Sequence, residues 1–320
     1  MGGYGVRHGG LSAAGASLRR LLGGIDLAAG DHTKTVFLAG SGRSGTTWLS
    51  GLLNHDSLYR EVFEPFHSGK VAGFRPFRSK QYLRPEDRRD AFLEPAREAV
   101  TGRLRSRWSD RGGALVARRR LVKDIRSNLL LGWLAENFPG MPIVLLMRHP
   151  CAVVSSRLAL GWRDNLDETM AQRDLVEDHL LPVERRIRAA RDPFERHLFL
   201  WCIDNYVPLR QFRPGAIHLL FYENLLLRPG PELRRLFRFV GRDYDDRVLA
   251  KLGRPSRTSR REGYIPSLDG WRGRAGEERL EKTAEILGLF GLDGIYGPGP
   301  VPDPAAALSL MGAAGRRGRA

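Results

Sequence analysis

The stretch from Thr35 to Asn54, TVFLAGSGRSGTTWLSGLLN, limits the fold more than any other part of the chain. It opens with a short apolar run, Val36-Phe37-Leu38-Ala39, of strand length and mix. A glycine-rich turn follows, Gly40-Ser41-Gly42-Arg43-Ser44-Gly45. Thr46 and Thr47 then lead into Trp48, Leu49, Leu52 and Leu53, spaced for one face of a helix. Strand, glycine turn and helix start are the local plan of a phosphate cradle. Glycines let successive N–H groups point inward, and a helix N-terminus adds free donors and a positive dipole end. A plain strand–helix turn shares the same order, so the plan alone leaves both readings open. The nucleoside-triphosphate loop reads G-x-x-x-x-G-K-[ST]. Gly40 and Gly45 keep that spacing, but Thr46 stands in the lysine position. A triphosphate-hydrolysing reading thereby loses its main cation, and the loop suits fewer phosphates with no obligatory metal.

The chain of 320 residues carries a formal charge of +16, which favours anionic partners. The basic residues are scattered rather than gathered in one block, which argues against nucleic acid. Cys151 and Cys202 are too few for a disulfide framework and have no zinc-site spacing, so a reducing compartment fits. Cys151 lies at a helix start, where thiolate reactivity is conceivable; a packed bystander is the favoured reading. Residues 1–32, rich in Gly, Ala and Arg, read as a flexible leader, and residues 298–320 as a disordered tail, around one domain at 33–297. No stretch reaches the roughly 18 apolar residues of a membrane span.

Beyond the first helix, Leu58 to Phe63 suits a second strand, which Pro65 stops. Glu64 then lies just past a strand end, where ligands of open α/β sheets bind. A partly apolar setting would raise its pKa and make it a usable general base. An exposed loop glutamate is an equal alternative. Pro85 to Arg107 predicts a helix, and Arg103, Arg105, Arg107 and Arg111 form a cationic run, read first as a solvated face. A strand around Leu121 to Lys123 places Lys123 and Arg126 at its end, with Ser127 as the cap of a helix from Leu129 to Asn137. Ile143-Val144-Leu145-Leu146 is the apolar run of a central parallel strand. It ends in Arg148-His149-Pro150, and Ala152 to Leu160 reads as a helix bearing Ser155 and Ser156. A strand-end arginine facing a helix hydroxyl would make a second anion pocket. The fold class expected is α/β: a P-loop-like three-layer fold with a central, mostly parallel sheet flanked by helices. Glu195 to Phe212 reads as a core-facing helix, and Glu277 to Phe290 as an amphipathic closing helix.

The pair GSGRSGTTW and RHPCAVVSS resembles the two nucleotide-binding motifs of the sulfotransferases that use 3′-phosphoadenosine 5′-phosphosulfate (PAPS). The resemblance implies that Arg43, Ser44, Gly45, Thr46 and Thr47 hold the 5′-phosphosulfate, that Trp48 lies near the adenine, and that Arg148 and Ser156 take the 3′-phosphate. Phe63-Glu64-Pro65, Lys123-Asp124-Ile125-Arg126 and Tyr222-Glu223-Asn224-Leu225 resemble further segments of the carbohydrate branch and its bacterial relatives. Asn224 replaces that branch's usual aspartate. The terminal glycine-rich motif of cytosolic members is not clear between Ser256 and Trp271, where Arg257 and Arg260 are alternative 3′-phosphate contacts.

What the resemblance implies is in-line sulfuryl transfer from PAPS to a hydroxyl of a carbohydrate or small-molecule acceptor, without a metal. Glu64 would be the base, and Arg43 and Lys123 the catalytic cations. A soluble, cytoplasmic enzyme of bacterial type is expected; the sequence specifies no oligomeric state. The rival readings are a P-loop nucleotide kinase and a non-catalytic module binding anionic glycans.

Overall fold

The computed structural model describes residues 25–113, 116–253 and 268–313. Among these, the strands are β1 (Ile25–Asp26), β2 (Thr35–Gly40), β3 (Tyr59–Phe63), β4 (Asp110–Gly113), β5 (Val116–Ala117), β6 (Arg119–Asp124), β7 (Ile143–Met147) and β8 (His218–Phe221). The main helices are α1 (Thr46–Leu53), α2 (Asp90–Val100), α3 (Leu131–Asn137), α4 (Pro150–Ala159), α5 (Pro193–Gln211), α6 (Tyr222–Leu227), α7 (Pro229–Phe239), α8 (Arg272–Phe290) and α9 (Pro304–Ala313).

Side chains of a strand alternate between faces. In β2, Val36 and Leu38 enter one apolar cluster, and Phe37 and Ala39 enter another. In β7, Val144 and Leu146 join the first, while Ile143, Leu145 and Met147 join the second. Both faces of the sheet are thus covered, which is why these strands read as unbroken apolar runs. Helices α1, α6 and α7 cover one face; α2 to α5, α8 and α9 cover the other. The result is the expected three-layer α/β fold.

Six strands pair in the order β4-β3-β6-β2-β7-β8; all neighbours are parallel except β4 on β3. The five parallel strands therefore end on one edge. Register sets Phe63 beside Lys123, Ala39 beside Asp124 and Gly40 beside Leu146. The segments that follow these strand ends necessarily converge there.

The structure corrects several expectations. Part of the stretch read as leader is built in. Asp26, 9% exposed, accepts from Arg120 Nη1 (2.8 Å) and faces Arg60 (3.5 Å), so it is the counter-ion of two buried guanidinia. Residues 1–24 lie outside the described residues. Within the stretch read as a disordered tail, Pro304–Ala313 forms α9. Pro304 begins that helix, and Ala307 and Met311, one turn apart, are buried in the core. The helix expected over 85–107 spans only Asp90–Val100, with Pro95 inside it. Gly102 at φ 77° ends the run, so Arg103, Arg105 and Arg107 lie on an exposed loop. Ser127 does not cap a helix: a short 3₁₀ turn at Asn128–Leu130 precedes α3, and the buried Ser127 Oγ has no partner. Cys151 is buried against Thr283 Oγ1 (3.3 Å), and burial pushes its thiol up, which makes it the packed bystander.

Candidate active site

The glycine turn leaves β2 at Gly40 and enters α1 at Thr46. Two of its glycines are forced. A Cβ on Gly40 would lie 2.6 Å from the Leu146 carbonyl oxygen. Gly45 sits at φ 98° as the residue before the helix, and a Cβ there would lie 2.8 Å from the Tyr222 ring. Arg43, a non-glycine residue, takes φ 80°. Such left-handed residues in a tight turn cost energy that the surroundings must supply. Here the Arg43 carbonyl accepts from Arg148 Nη1 (3.2 Å), and Arg43 Nε donates to Ser156 Oγ (3.0 Å). The two motifs therefore touch through Arg43. Ser156 was expected to face Arg148; its hydrogen bond is to Arg43 instead.

Arg148 lies over the Tyr222 ring at 4.2 Å, and Trp48 meets that ring edge-on at 5.3 Å. Trp48 Nε1 also donates to the Leu252 carbonyl (3.2 Å). The turn bearing Arg148 is held from behind. Glu223 Oε1 accepts from the His149 N–H (2.8 Å), its Oε2 accepts from Tyr296 (3.1 Å), and His149 stacks on Trp271 at 4.1 Å. Burial raises the Glu223 carboxyl and lowers His149 to about 4, so His149 is neutral at pH 7.

Glu64 follows β3 at φ 42°, with its N–H on the Lys123 carbonyl (2.7 Å). Its side chain is 8% exposed and doubly paired. Lys123 Nζ is 2.6 Å from Oε1, and Arg126 Nη1 is 2.6 Å from Oε2. Burial pushes this carboxyl up, but the two cations outweigh it, and its pKa lies below the ordinary value. The expectation of a raised pKa is thus corrected: apolar neighbours in sequence are overruled by cations from the next strand. Lys123, nearly fully buried and 4.5 Å from the Phe63 ring centroid, is lowered by desolvation despite its partner. Asp124, fully buried, is raised by desolvation to about 6 while accepting the N–H groups of Phe66 (3.0 Å) and Arg126 (2.7 Å).

Glu64, Lys123, Arg43, Arg148 and Ser156 all lie where parallel strands end, as does the turn from Ser44 to Thr47. The Oγ atoms of Ser44 and Ser155 are buried and partnerless, one in each motif. A phosphate oxygen would satisfy such a hydroxyl, so the residues fit an anionic ligand with two separated phosphates. Among the described residues no group of three or more His, Cys, Asp and Glu side chains is arranged to hold a metal. Arg257 and Arg260 lie outside the described residues.

Sequence reasoning missed two parts of this site. Trp162, 40% exposed, lies over the glycine turn: a Cβ on Gly42 would stand 2.7 Å from its ring. Lys80 and Asp204 form a buried ion pair beneath the turn. Lys80 lay in an unpatterned basic stretch, and Asp204 in a helix whose apolar spacing pointed only to the core, so no local signal marked either.

Residues 35–246 match the model of a family described as the sulfotransferase family. Solved structures similar to the chain include the sulfotransferase domain of the Synechococcus olefin synthase, at 18% identity and TM-score 0.44 over 79% of this chain and 94% of that one. Others are the sulfotransferase STF9 from Mycobacterium avium (12%, TM-score 0.45, 87% and 79%) and the mouse sulfotransferase SULT7A1 complexed with PAP (14%, TM-score 0.42, 84% and 88%). No curated protein matches the chain.

Proposed function

The chain belongs to the sulfotransferase family, and from that premise we propose that it moves the sulfuryl group of PAPS to a hydroxyl of a carbohydrate or small-molecule acceptor. The observation that carries this reading is the contact between the two anion-binding motifs. Arg43 Nε on Ser156 Oγ and Arg148 Nη1 on the Arg43 carbonyl join a phosphate turn to a second pocket on the neighbouring strand. A donor with phosphates at both its 5′ and 3′ positions matches that pair; a triphosphate chain needs one long cradle and a lysine where Thr46 stands.

Bound PAPS supplies the sulfuryl group. The chain supplies position and charge. The turn's N–H groups and the hydroxyls of Ser44, Thr46 and Thr47 hold the 5′ end. Arg148 and Ser156 hold the 3′-phosphate, and Trp48 backs the base. Arg43 and Lys123 face the developing negative charge. Glu64 accepts the acceptor's hydroxyl proton. Its pairing with Lys123 and Arg126 makes it a weak base in the free protein, so the assignment requires Lys123 to turn from Glu64 toward the donor's charge, which raises the proton affinity of Glu64 when it is needed. The Phe63-Glu64-Pro65 segment supports the carbohydrate-like branch. The two buried free thiols support a cytoplasmic setting.

Calorimetric titration with 3′-phosphoadenosine 5′-phosphate, beside ADP and magnesium-free ATP, tests the donor. Tight binding of the first alone is expected. Preference for ATP would overturn the reading in favour of a kinase. No nucleotide binding, with salt-sensitive binding of sulfated polymer, would favour the glycan-binding module.

A further inference from the structure

A buried charged cluster beneath the phosphate turn has no part in the donor and acceptor assignments above. At its centre is the carboxylate of Asp204 on α5, with no exposed side-chain surface. Ser41 Oγ donates to its Oδ2 (2.9 Å), and Lys80 Nζ donates to both of its oxygens. Arg157 Nη2 lies 3.6 Å from Oδ2, and Arg157 Nε donates to the Gly42 carbonyl (3.2 Å). Asn128 Nδ2 holds the Asp204 carbonyl at 3.0 Å. Lys80 takes φ 57°, and Gln172 clamps the backbone around it: Nε2 donates to the Lys80 carbonyl (2.9 Å), and Oε1 accepts the Tyr82 N–H (2.8 Å).

Three ionic groups buried together cost more than an apolar filling of the same volume, so the cluster is a poor device for stability alone. Its contacts with the turn are specific. A trans peptide unit carries its C=O and the following N–H on opposite sides. Pinning the Gly42 carbonyl to Arg157 therefore turns the Arg43 N–H away from α4. Fixing the Ser41 side chain anchors the first residue after β2.

We infer that Asp204 is a positioning residue of the 5′-phosphate cradle: through Ser41 and Arg157 it sets the backbone of the turn, and Lys80 is the buried cation that holds Asp204 in place. The inference rests on the donor reading of the same site.

The test compares 3′-phosphoadenosine 5′-phosphate with adenosine 3′-phosphate, which lacks the 5′ group, on the full chain. Wild-type protein that binds neither would refute the donor reading and this inference with it. Given wild-type binding, Asp204→Asn should weaken the bisphosphate by roughly 10–100-fold, the cost of a small misplacement of binding groups. Ser41→Ala should weaken it by about 3–10-fold, the size of one hydrogen bond. Both should bind adenosine 3′-phosphate as the wild type does, and the donor KM should rise while the acceptor KM stays. Equal losses for both ligands would show general disruption and overturn the assignment. So would an unchanged bisphosphate affinity in Ser41→Ala, which removes one hydroxyl and leaves a variant to measure even where Asp204→Asn does not fold.

Discussion

Replacing Glu64 by Gln separates the two things its carboxylate does in this structure: balancing cations and taking a proton. The carboxylate lies 2.6 Å from each of two cations, whose side chains differ in exposure: 5% for Lys123 and 23% for Arg126. Glutamine keeps one acceptor oxygen and turns an NH₂ toward the other cation. Arg126 can rehydrate at its exposed end; Lys123 cannot. Removing one partner of a fully buried pair costs about 3–5 kcal/mol, and the exposed side of Arg126 places this case near the lower end, about 3 kcal/mol. Because the folded carboxyl titrates below its unfolded range, the wild-type advantage is fully present above about pH 4.3 and disappears as pH falls through the lowered value.

The catalytic consequence has a separate readout. Turnover in Glu64→Gln should fall by roughly 10²–10⁴-fold, the usual worth of a general base. Affinity for 3′-phosphoadenosine 5′-phosphate should hold or tighten, because a negative charge has left an anion site. That ligand should also raise the unfolding temperature more in the variant than in the wild type, since its charge relieves Lys123. Steady-state rates on a responsive acceptor, calorimetry and thermal unfolding supply the three numbers. Turnover within about 3-fold of wild type would remove Glu64 as the base. Lost donor affinity would make it a donor-site residue and refute the charge argument.

Four further outcomes follow from particular contacts. Gly45→Ala adds a Cβ at φ 98° and 2.8 Å from Tyr222, so about 2–5 kcal/mol of stability should be lost by denaturant titration, the sum of left-handed strain and overpacking. Gly42→Ala meets the Trp162 ring at 2.7 Å, and donor affinity should fall; adding Trp162→Ala should restore part of it in a double-mutant cycle. Arg148→Ala should abolish the preference for 3′-phosphoadenosine 5′-phosphate over adenosine 5′-phosphate, measured by competition. Asp124, raised to about 6, binds its proton more tightly folded than unfolded, so its contribution to stability declines as pH rises from about 4 through 6. Thermal unfolding between pH 4 and 8 should show that decline in the wild type and lose it in Asp124→Asn.

The parts of the site that were legible in sequence are those whose signal is local. The turn from Gly40 to Gly45 carries its geometry in its glycines, and Arg148 follows an apolar run that has to be a central strand. Once the strands are parallel, their ends share one edge, so local motifs far apart in the chain had to meet. What they do to one another's charge was not legible. Phe63 and Pro65 flank Glu64 in sequence and argue for a raised pKa; Lys123 reaches it only because β3 and β6 pair with Phe63 beside Lys123. Lys80 and Asp204 are 124 positions apart, and neither stands out among its neighbours. At the chain ends, composition misled because Asp26, Ala307 and Met311 have partners that only the folded sheet and α5 supply. The same physics governs the function. The strand ends and the helices and loops packed on them bring Arg43, Lys80, Lys123, Arg126, Arg148 and Arg157 together with Glu64, Asp124, Asp204 and Glu223. On the proposed donor reading, a doubly phosphorylated nucleotide would offset part of that cationic excess.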